Sequence, residues 1–256
     1  METAITIPAL GDNYIYLYCY DQNNAFVVDP GDAGIVLNAL EKQGLNLTHA
    51  LTTHHHFDHI SGIKELKGKT GCEIFGSDKN RISIIDRVVN DKGVITICNT
   101  HILVMATPGH TQGSICYYVQ PSGKRGGILF TGDTLFIGGC GRPIECDASI
   151  MWHSLQKIAA LPDDTLVYPG HDYTEENYEF ALTIEPNNNV VEKCLQEIKK
   201  RQELGKPTVP SNIGQERATN VFLRADDPEI KSALDMPNAA AVEVFAELRR
   251  RKNVFG

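Results

Sequence analysis

Short apolar runs separated by glycine, proline, aspartate and asparagine fill the first half of the chain, a pattern that predicts strands. NYIYLYCY alternates in part, AFVVDPGD is a strand running into a turn, and THALTT is a strand running straight into a row of histidines. GCEIFGS, VITIC, HILVMATP, SICYYV, GGILFTGD and TLVYPGH predict further strands. A helix is expected from Asp58, with Ile60, Ile63 and Leu66 on one face, and another over residues 149–160, SIMWHSLQKIAA. Strands and helices mixed in this way imply a layered α/β domain with its sheets buried between helices.

After about residue 172 the period becomes helical. Val190, Val191, Cys194, Leu195 and Ile198 form a stripe that stops near Leu204 and Gly205, a helix with a glycine stop. KPTVPSNIGQERATN predicts a long loop, and Ala239 to Arg251 a terminal helix. The expected organisation is an α/β domain over 1–172 and a smaller α-helical domain over 173–256.

Composition narrows the setting. With 42% hydrophobic residues, the 256-residue chain can bury a real core, yet no run is long and apolar enough for a membrane span. The opening, METAITIPALGDNY, lacks the basic start and apolar centre of a signal peptide, so a cytoplasmic location is expected. The seven cysteines are scattered, with no C-x-x-C pair, and read as reduced thiols. A net charge of −8 argues against general nucleic-acid binding, although LRRRKNVF makes a local basic patch near the C-terminus.

The chemistry sits where strands end. THALTT leads into His54, His56, Asp58 and His59, HILVMATP into His110, GGILFTG into Asp133, and TLVYPG into His171. Loops at the carboxyl ends of strands commonly gather site residues, so four segments can converge on one spot. Seven donors exceed the four that one tetrahedral ion takes, but suit two ions sharing a bridging carboxylate and water. In extended chain, residues two apart face the same way, so His54 and His56 can grip one ion while His55 points elsewhere. Asp58 and His59 can serve its neighbour. His49, His55, His101 and His153 read as non-ligands.

THHHFDH, PGHT, TGDT and GHDY, in this order and spacing, resemble the metallo-β-lactamase superfamily. LFIGGCGR, TVPSNIGQERATNVFLR and the closing LRRRKNVF are similar to its hydroxyacylglutathione hydrolase, or glyoxalase II, branch, so that the resemblance spans nearly the whole chain. It implies an αββα sandwich followed by an α-helical C-terminal domain. It also implies two divalent transition-metal ions, zinc first, with iron or manganese as alternatives. His54, His56 and His110 would hold one, Asp58, His59 and His171 the other, and Asp133 would bridge both. Asp58 and Asp133 become the catalytic carboxylates, acting through the shared water. The implied reaction is hydrolysis of S-D-lactoylglutathione to D-lactate and glutathione, the step that serves methylglyoxal detoxification. Arg142, Tyr173, Arg249 and Lys252 match positions that bind glutathione. Relatives commonly carry an aromatic residue where this chain has Ile144. The expected partner is thus a small-molecule glutathione thioester, with no nucleic acid and no membrane, for a chain acting as a monomer.

The rival within the fold is another hydrolase or a persulfide dioxygenase; outside the enzymes it is a structural metal-binding module. Structural sites usually close with four sulfur or imidazole ligands on one zinc, so a carboxylate-rich excess favours reactive ions. GIKELKGKT has one residue too many between its glycines for a phosphate loop and reads as a surface turn; Asn46 begins a glycosylation sequon with no expected secretory route; and no G-x-S-x-G elbow offers a serine nucleophile.

Overall fold

The computed structural model describes residues 4–123 and 126–255; residues 1–3, which open the stretch read for a leader, lie outside the described residues. Among the described residues no helix is long and apolar enough to cross a membrane.

Two mixed six-stranded sheets pack face to face. The first runs in chain order, from β1 (Ala4–Ala9), β2 (Asn13–Cys19), β3 (Asn24–Val28) and β4 (Asn46–Leu51) to β5 (Glu73–Gly76) and β6 (Arg87–Val88). The second contains β7 (Val94–Ile97), β8 (Thr100–Ala106), β9 (Ile115–Val119), β10 (Ile128–Gly132), β13 (Leu166–Pro169) and β14 (Ser211–Asn212), in the order β14-β13-β10-β9-β8-β7. A two-stranded ribbon, β11 (Leu135–Phe136) and β12 (Gly139–Cys140), lies between β10 and β13 in the chain.

β2 shows how its sequence builds the sandwich. Alternate residues of a strand face opposite sides. Tyr14, Tyr16 and Tyr18 accordingly join the core between the sheets, where Tyr16 lies 5.4 Å from Phe130 and 5.1 Å from Tyr168. Ile15 and Leu17 face the other way, onto Val36 and Leu40 of α1 (Ala33–Gln43) and Leu66 of α3 (Ile63–Thr70). On the far side of the second sheet lie α4 (Ala148–Ala159) and α9 (Ala241–Lys252), in contact through Trp152 and Phe245 at 5.8 Å. The result is an αββα sandwich.

The helical segments after the sandwich are α5 (Thr174–Ile184), α6 (Asn189–Glu203), α7 (Ile213–Thr219) and α8 (Pro228–Ala233), besides α9. Their apolar residues join the same core as the second sheet.

Three expectations change. The helix expected from Asp58 divides into α2 (Phe57–Ile60) and α3 at Gly62, whose N–H leaves the helical ladder for Pro30 O at 2.9 Å, an approach that leaves no room for a Cβ. GIKELKGKT is not a surface turn but mostly α3, whose Ile63 and Leu66 are buried three residues apart and whose end is capped by Gly71 in the left-handed region. The long loop over KPTVPSNIGQERATN contains β14 and α7, capped by the Asn212 side chain on Gln215 N at 2.9 Å. That helix turns Glu216 inward to hydrogen-bond donors, so it lacks an apolar stripe.

Candidate metal centre and adjoining cavity

β4, β8, β10 and β13 deliver His54, His110, Asp133 and His171 within a few residues of their ends, and α2 adds Asp58 and His59. Glycine makes the convergence possible at two places. Gly132 ends β10 at φ 47°, with Thr53 so close that a Cβ would lie 2.2 Å from its Oγ1. At Gly170 a Cβ would stand 2.6 Å from Asp133 Oδ1 and 2.7 Å from His59 Cε1, inside the cluster itself.

The donors form two groups. His54, His56 and His110 lie together, as do Asp58, His59 and His171, each set with its ligand atoms within 4.8 Å of one another. Asp133 reaches both: its Oδ2 is 3.4 Å from His110 Nε2 and from His171 Nε2, and its Oδ1 is 3.4 Å from His59 Nε2. Asp58 Oδ2 lies 3.2 Å from His59 Nε2 and 3.3 Å from His171 Nε2. His55 is elsewhere, against Arg81 Nη1 at 3.1 Å. His49, His101 and His153 hydrogen-bond locally to Thr48, Thr96 and Ser149.

A surrounding layer fixes the imidazoles. The Arg142 carbonyl can only accept, so His110 Nδ1 carries the proton in their 2.9 Å bond and Nε2 turns its lone pair inward. Asp29 does the same for His59 Nδ1 at 3.0 Å, and Asp12 for His171 Nδ1 at 3.0 Å. Thr53 donates to Asp29 Oδ2 at 2.6 Å, leaving its oxygen to accept from His54 Nδ1 at 3.0 Å. Asn13 donates to Asp58 Oδ2 at 2.9 Å. Asp29, Asp12, Thr53 and Asn13 were not among the residues singled out by sequence. Asp29 follows β3 directly and so repeats the strand-end pattern, whereas nothing local marks the other three.

The donor set fits divalent cations. His54 Nε2 and Asp133 Oδ1 are buried with no hydrogen-bond partner, which is costly unless something positive meets them. His110 Nε2 faces His56 Nδ1 at 3.0 Å, and His59 Nε2 faces His171 Nε2 at 3.2 Å, so lone pairs are brought together in twos. The field agrees. Burial would raise the Asp133 and Asp58 carboxyls, but His59 and His171 outweigh it and hold both far below the usual range. Burial opposes charge on His171 too, yet Asp133 and Asp58 push it up to about 10, so that without a metal a proton takes the place on Nε2 that a cation would fill. His54, where burial dominates, is pushed down. Imidazole and carboxylate without thiolate suit zinc, iron or manganese alike.

Beside the cluster opens a cavity of about 350 Å³ lined by His110 and Asp133 and by Arg142, Tyr173, Arg249 and Lys252. Tyr173 stacks on His171 at 5.0 Å with the planes 5° apart. Arg142 is exposed, and Ile144 lines the same cavity with 59% of its surface open. Arg249 and Lys252 are nearly buried and already bonded: Arg249 donates to Cys140 O at 2.9 Å and Asn253 Oδ1 at 2.7 Å, and Lys252 to Glu176.

A two-sheet sandwich with this cluster at its strand ends defines a metal-binding member of the metallo-β-lactamase superfamily. Residues 9–171 match that superfamily, and residues 172–255 match the family described as the hydroxyacylglutathione hydrolase C-terminus. The hydroxyacylglutathione hydrolase of Rhodospirillum rubrum is 45% identical over 97% of this chain and 97% of its own length. That of Methylococcus capsulatus is 43% identical over 100% of this chain and 99% of its own. Among solved structures, ETHE1 from Myxococcus xanthus superposes with a TM-score of 0.69 at 25% identity, over 98% of this chain and 91% of that one. The chain belongs to the hydroxyacylglutathione hydrolase family.

Proposed function

We propose that the chain hydrolyses S-(2-hydroxyacyl)glutathione, with S-D-lactoylglutathione as the reference substrate, to a 2-hydroxy acid and glutathione. One observation carries the reading: a single cavity is lined both by His110 and Asp133 of the cluster and by Arg249 and Lys252 of the last helix. Reactive centre and anion-binding side chains thus share one space. In functional terms the division falls between 172 and 173, with the cluster before it and the cavity's basic residues Arg249 and Lys252 after it.

In this reading His54, His56 and His110 would hold one divalent ion and Asp58, His59 and His171 a second, with Asp133 reaching both; zinc is the first choice. When bound, such ions supply Lewis acidity at the thioester carbonyl and a water of lowered pKa. The protein's own part is orientation. The Nδ1 bonds to Thr53, Asp29, Arg142 O and Asp12 hold the rings of His54, His59, His110 and His171 with Nε2 inward. Asp58 and Asp133 are the catalytic carboxylates in that they act through this water, which their oxygens would orient, and both stay ionised throughout. The departing thiolate has a conjugate-acid pKa of about 8.5 and needs little help from a protein acid. Arg249 and Lys252 bind a glutathione carboxylate, while Arg142 and Tyr173 line its path.

All seven cysteines are free, which supports a reducing, cytoplasm-like compartment; the chain is proposed to act there as a monomer. The test is metal content per chain together with turnover of S-D-lactoylglutathione, a β-lactam, and glutathione persulfide with oxygen. The thioester should be cleaved far faster than the others are turned over. Oxygen uptake with persulfide exceeding thioester cleavage would favour the dioxygenase reading instead.

A further inference from the structure

Lys252 reaches the cavity from α9, but its charge is already answered. Its ammonium bonds to Glu176 in the first turn of α5, with the rings of Phe255 and Phe180 5.1 and 5.8 Å away. The lysine side chain is 8% exposed, whereas the glutamate is 50% exposed and lines the same cavity. Acidic residues in a first helical turn are commonplace because they suit the helix dipole. That accounts for Glu175, which pairs with the exposed Lys199 at 3.2 Å on neighbouring α6. It does not account for Glu176, which reaches a buried cation 76 residues further along the chain.

Arg249 offers no substitute for this lysine. Its two terminal nitrogens donate to Cys140 O and Asn253 Oδ1, and only its buried Nε lacks a partner. Arg142 offers its charge at the exposed side of the cavity, but a carboxylate that reaches the last helix meets Lys252 as the cation free to change partners, and that cation holds a carboxylate of the protein.

We infer that Glu176 is a specificity-determining residue, a resident carboxylate on Lys252 that the terminal carboxylate of the substrate must displace. The inference rests on the thioesterase reading for the identity of that substrate. Displacement exchanges one ion pair for another and releases Glu176 to water it already half occupies, so an anionic tail gains little over a neutral one. A neutral tail leaves the internal pair intact. Removing the glutamate leaves Lys252 unpaired in the free protein and available to the ligand, which sharpens the preference for a carboxylate.

The test uses the full, metal-loaded chain with Glu176→Gln and Glu176→Ala. Two uncleavable probes, S-methylglutathione and its glycine amide, are titrated calorimetrically, and kcat and KM are measured for S-D-lactoylglutathione. Both variants should bind the carboxylate probe about three- to tenfold more tightly and the amide probe as the wild type does. KM for the thioester should fall by the same factor at constant kcat. Weaker binding of S-methylglutathione in the variants, equal shifts for both probes, or no binding of either probe to any of the proteins would overturn the inference. A structural role would show as a lower melting temperature with both probes moved alike. Absence of thioester cleavage with the probe shifts intact would remove the proposed activity and leave Glu176 as the guard of Lys252.

Discussion

His59 donates from Nδ1 to Asp29 Oδ2 at 3.0 Å, with both side chains almost wholly buried. The same carboxylate receives the Thr53 N–H at 2.7 Å and the Thr53 hydroxyl at 2.6 Å, so one residue orients His59 directly and His54 through Thr53. Asp29→Asn keeps the shape and removes the charge. We expect metal affinity to fall roughly ten- to hundredfold, as outer partners of ligating imidazoles generally contribute. Chelator competition measures it, and an unchanged affinity would reduce Asp29 to a backbone anchor.

Asp133 is the residue placed between the two donor groups. Asp133→Ala should lose both ions and nearly all activity, while His55→Ala, whose ring faces Arg81, should keep both. Elemental analysis should find close to two ions per chain in the wild type. One tight ion in a fully active protein would contradict the shared-carboxylate arrangement.

Arg249→Ala combined with Lys252→Ala should raise KM roughly ten- to hundredfold with kcat little changed, because the cations are lost from ground and transition states alike and Glu176 is left unpaired to repel the incoming carboxylate. The melting temperature should fall as well, because Cys140 O loses its Arg249 donor. Ile144→Tyr works the other way: an exposed cavity-lining side chain gains a hydroxyl, and KM should drop by the equivalent of about 0.5–1.5 kcal/mol. Wild-type KM in the double variant would return the basic pair to a purely structural role.

Residues that follow a strand could be read from sequence because the strand pattern and the donor stand side by side: His54, His110, Asp133 and His171 all announce themselves in this way. Asp29 obeys the same rule, yet Asp-Pro-Gly is also an ordinary turn, and the bland meaning masks the other. Helix α1 carried its capping residue Asp32 and its stop Gly44, but Ile35, Val36 and Leu40 make only a brief stripe between two strands. The pair Glu176–Lys252 was beyond reach because nothing in either neighbourhood points 76 residues away. Basic LRRRKNVF suggested open cations, whereas burial and internal partners leave Arg249 and Lys252 largely answered within the protein. Helix α7 hid because its inward face carries Glu216 rather than an apolar residue.

Glu216 gives the last prediction. It is fully buried, with Oε1 accepting from Ser211 Oγ at 2.6 Å and Oε2 from Gly138 N at 2.9 Å and Asn220 Nδ2 at 3.0 Å. Those bonds tie α7 to β14 and to the β11–β12 turn. Burial raises the carboxyl from 4.5 to about 7, with the bonds from Ser211, Asn220 and Gly138 pulling against it. A folded value above the unfolded one means that the folded protein holds a proton the unfolded chain has released. Below pH 4.5 both states are protonated and the group is neutral in effect. Between 4.5 and 7 stability falls as pH rises, and above 7 the folded state carries a penalty of about 3 kcal/mol. Glu216→Gln mimics the protonated form: its oxygen accepts from Gly138 and Asn220, and its amide donates to Ser211 Oγ, which can turn to accept. The variant should therefore match wild type near pH 4.5 and be more stable at pH 8. The wild-type minus variant difference in urea unfolding, followed from pH 4.5 to 8, isolates this group from the other titrations. A difference that does not change across that window would mean Glu216 ionises at its ordinary pKa despite its burial.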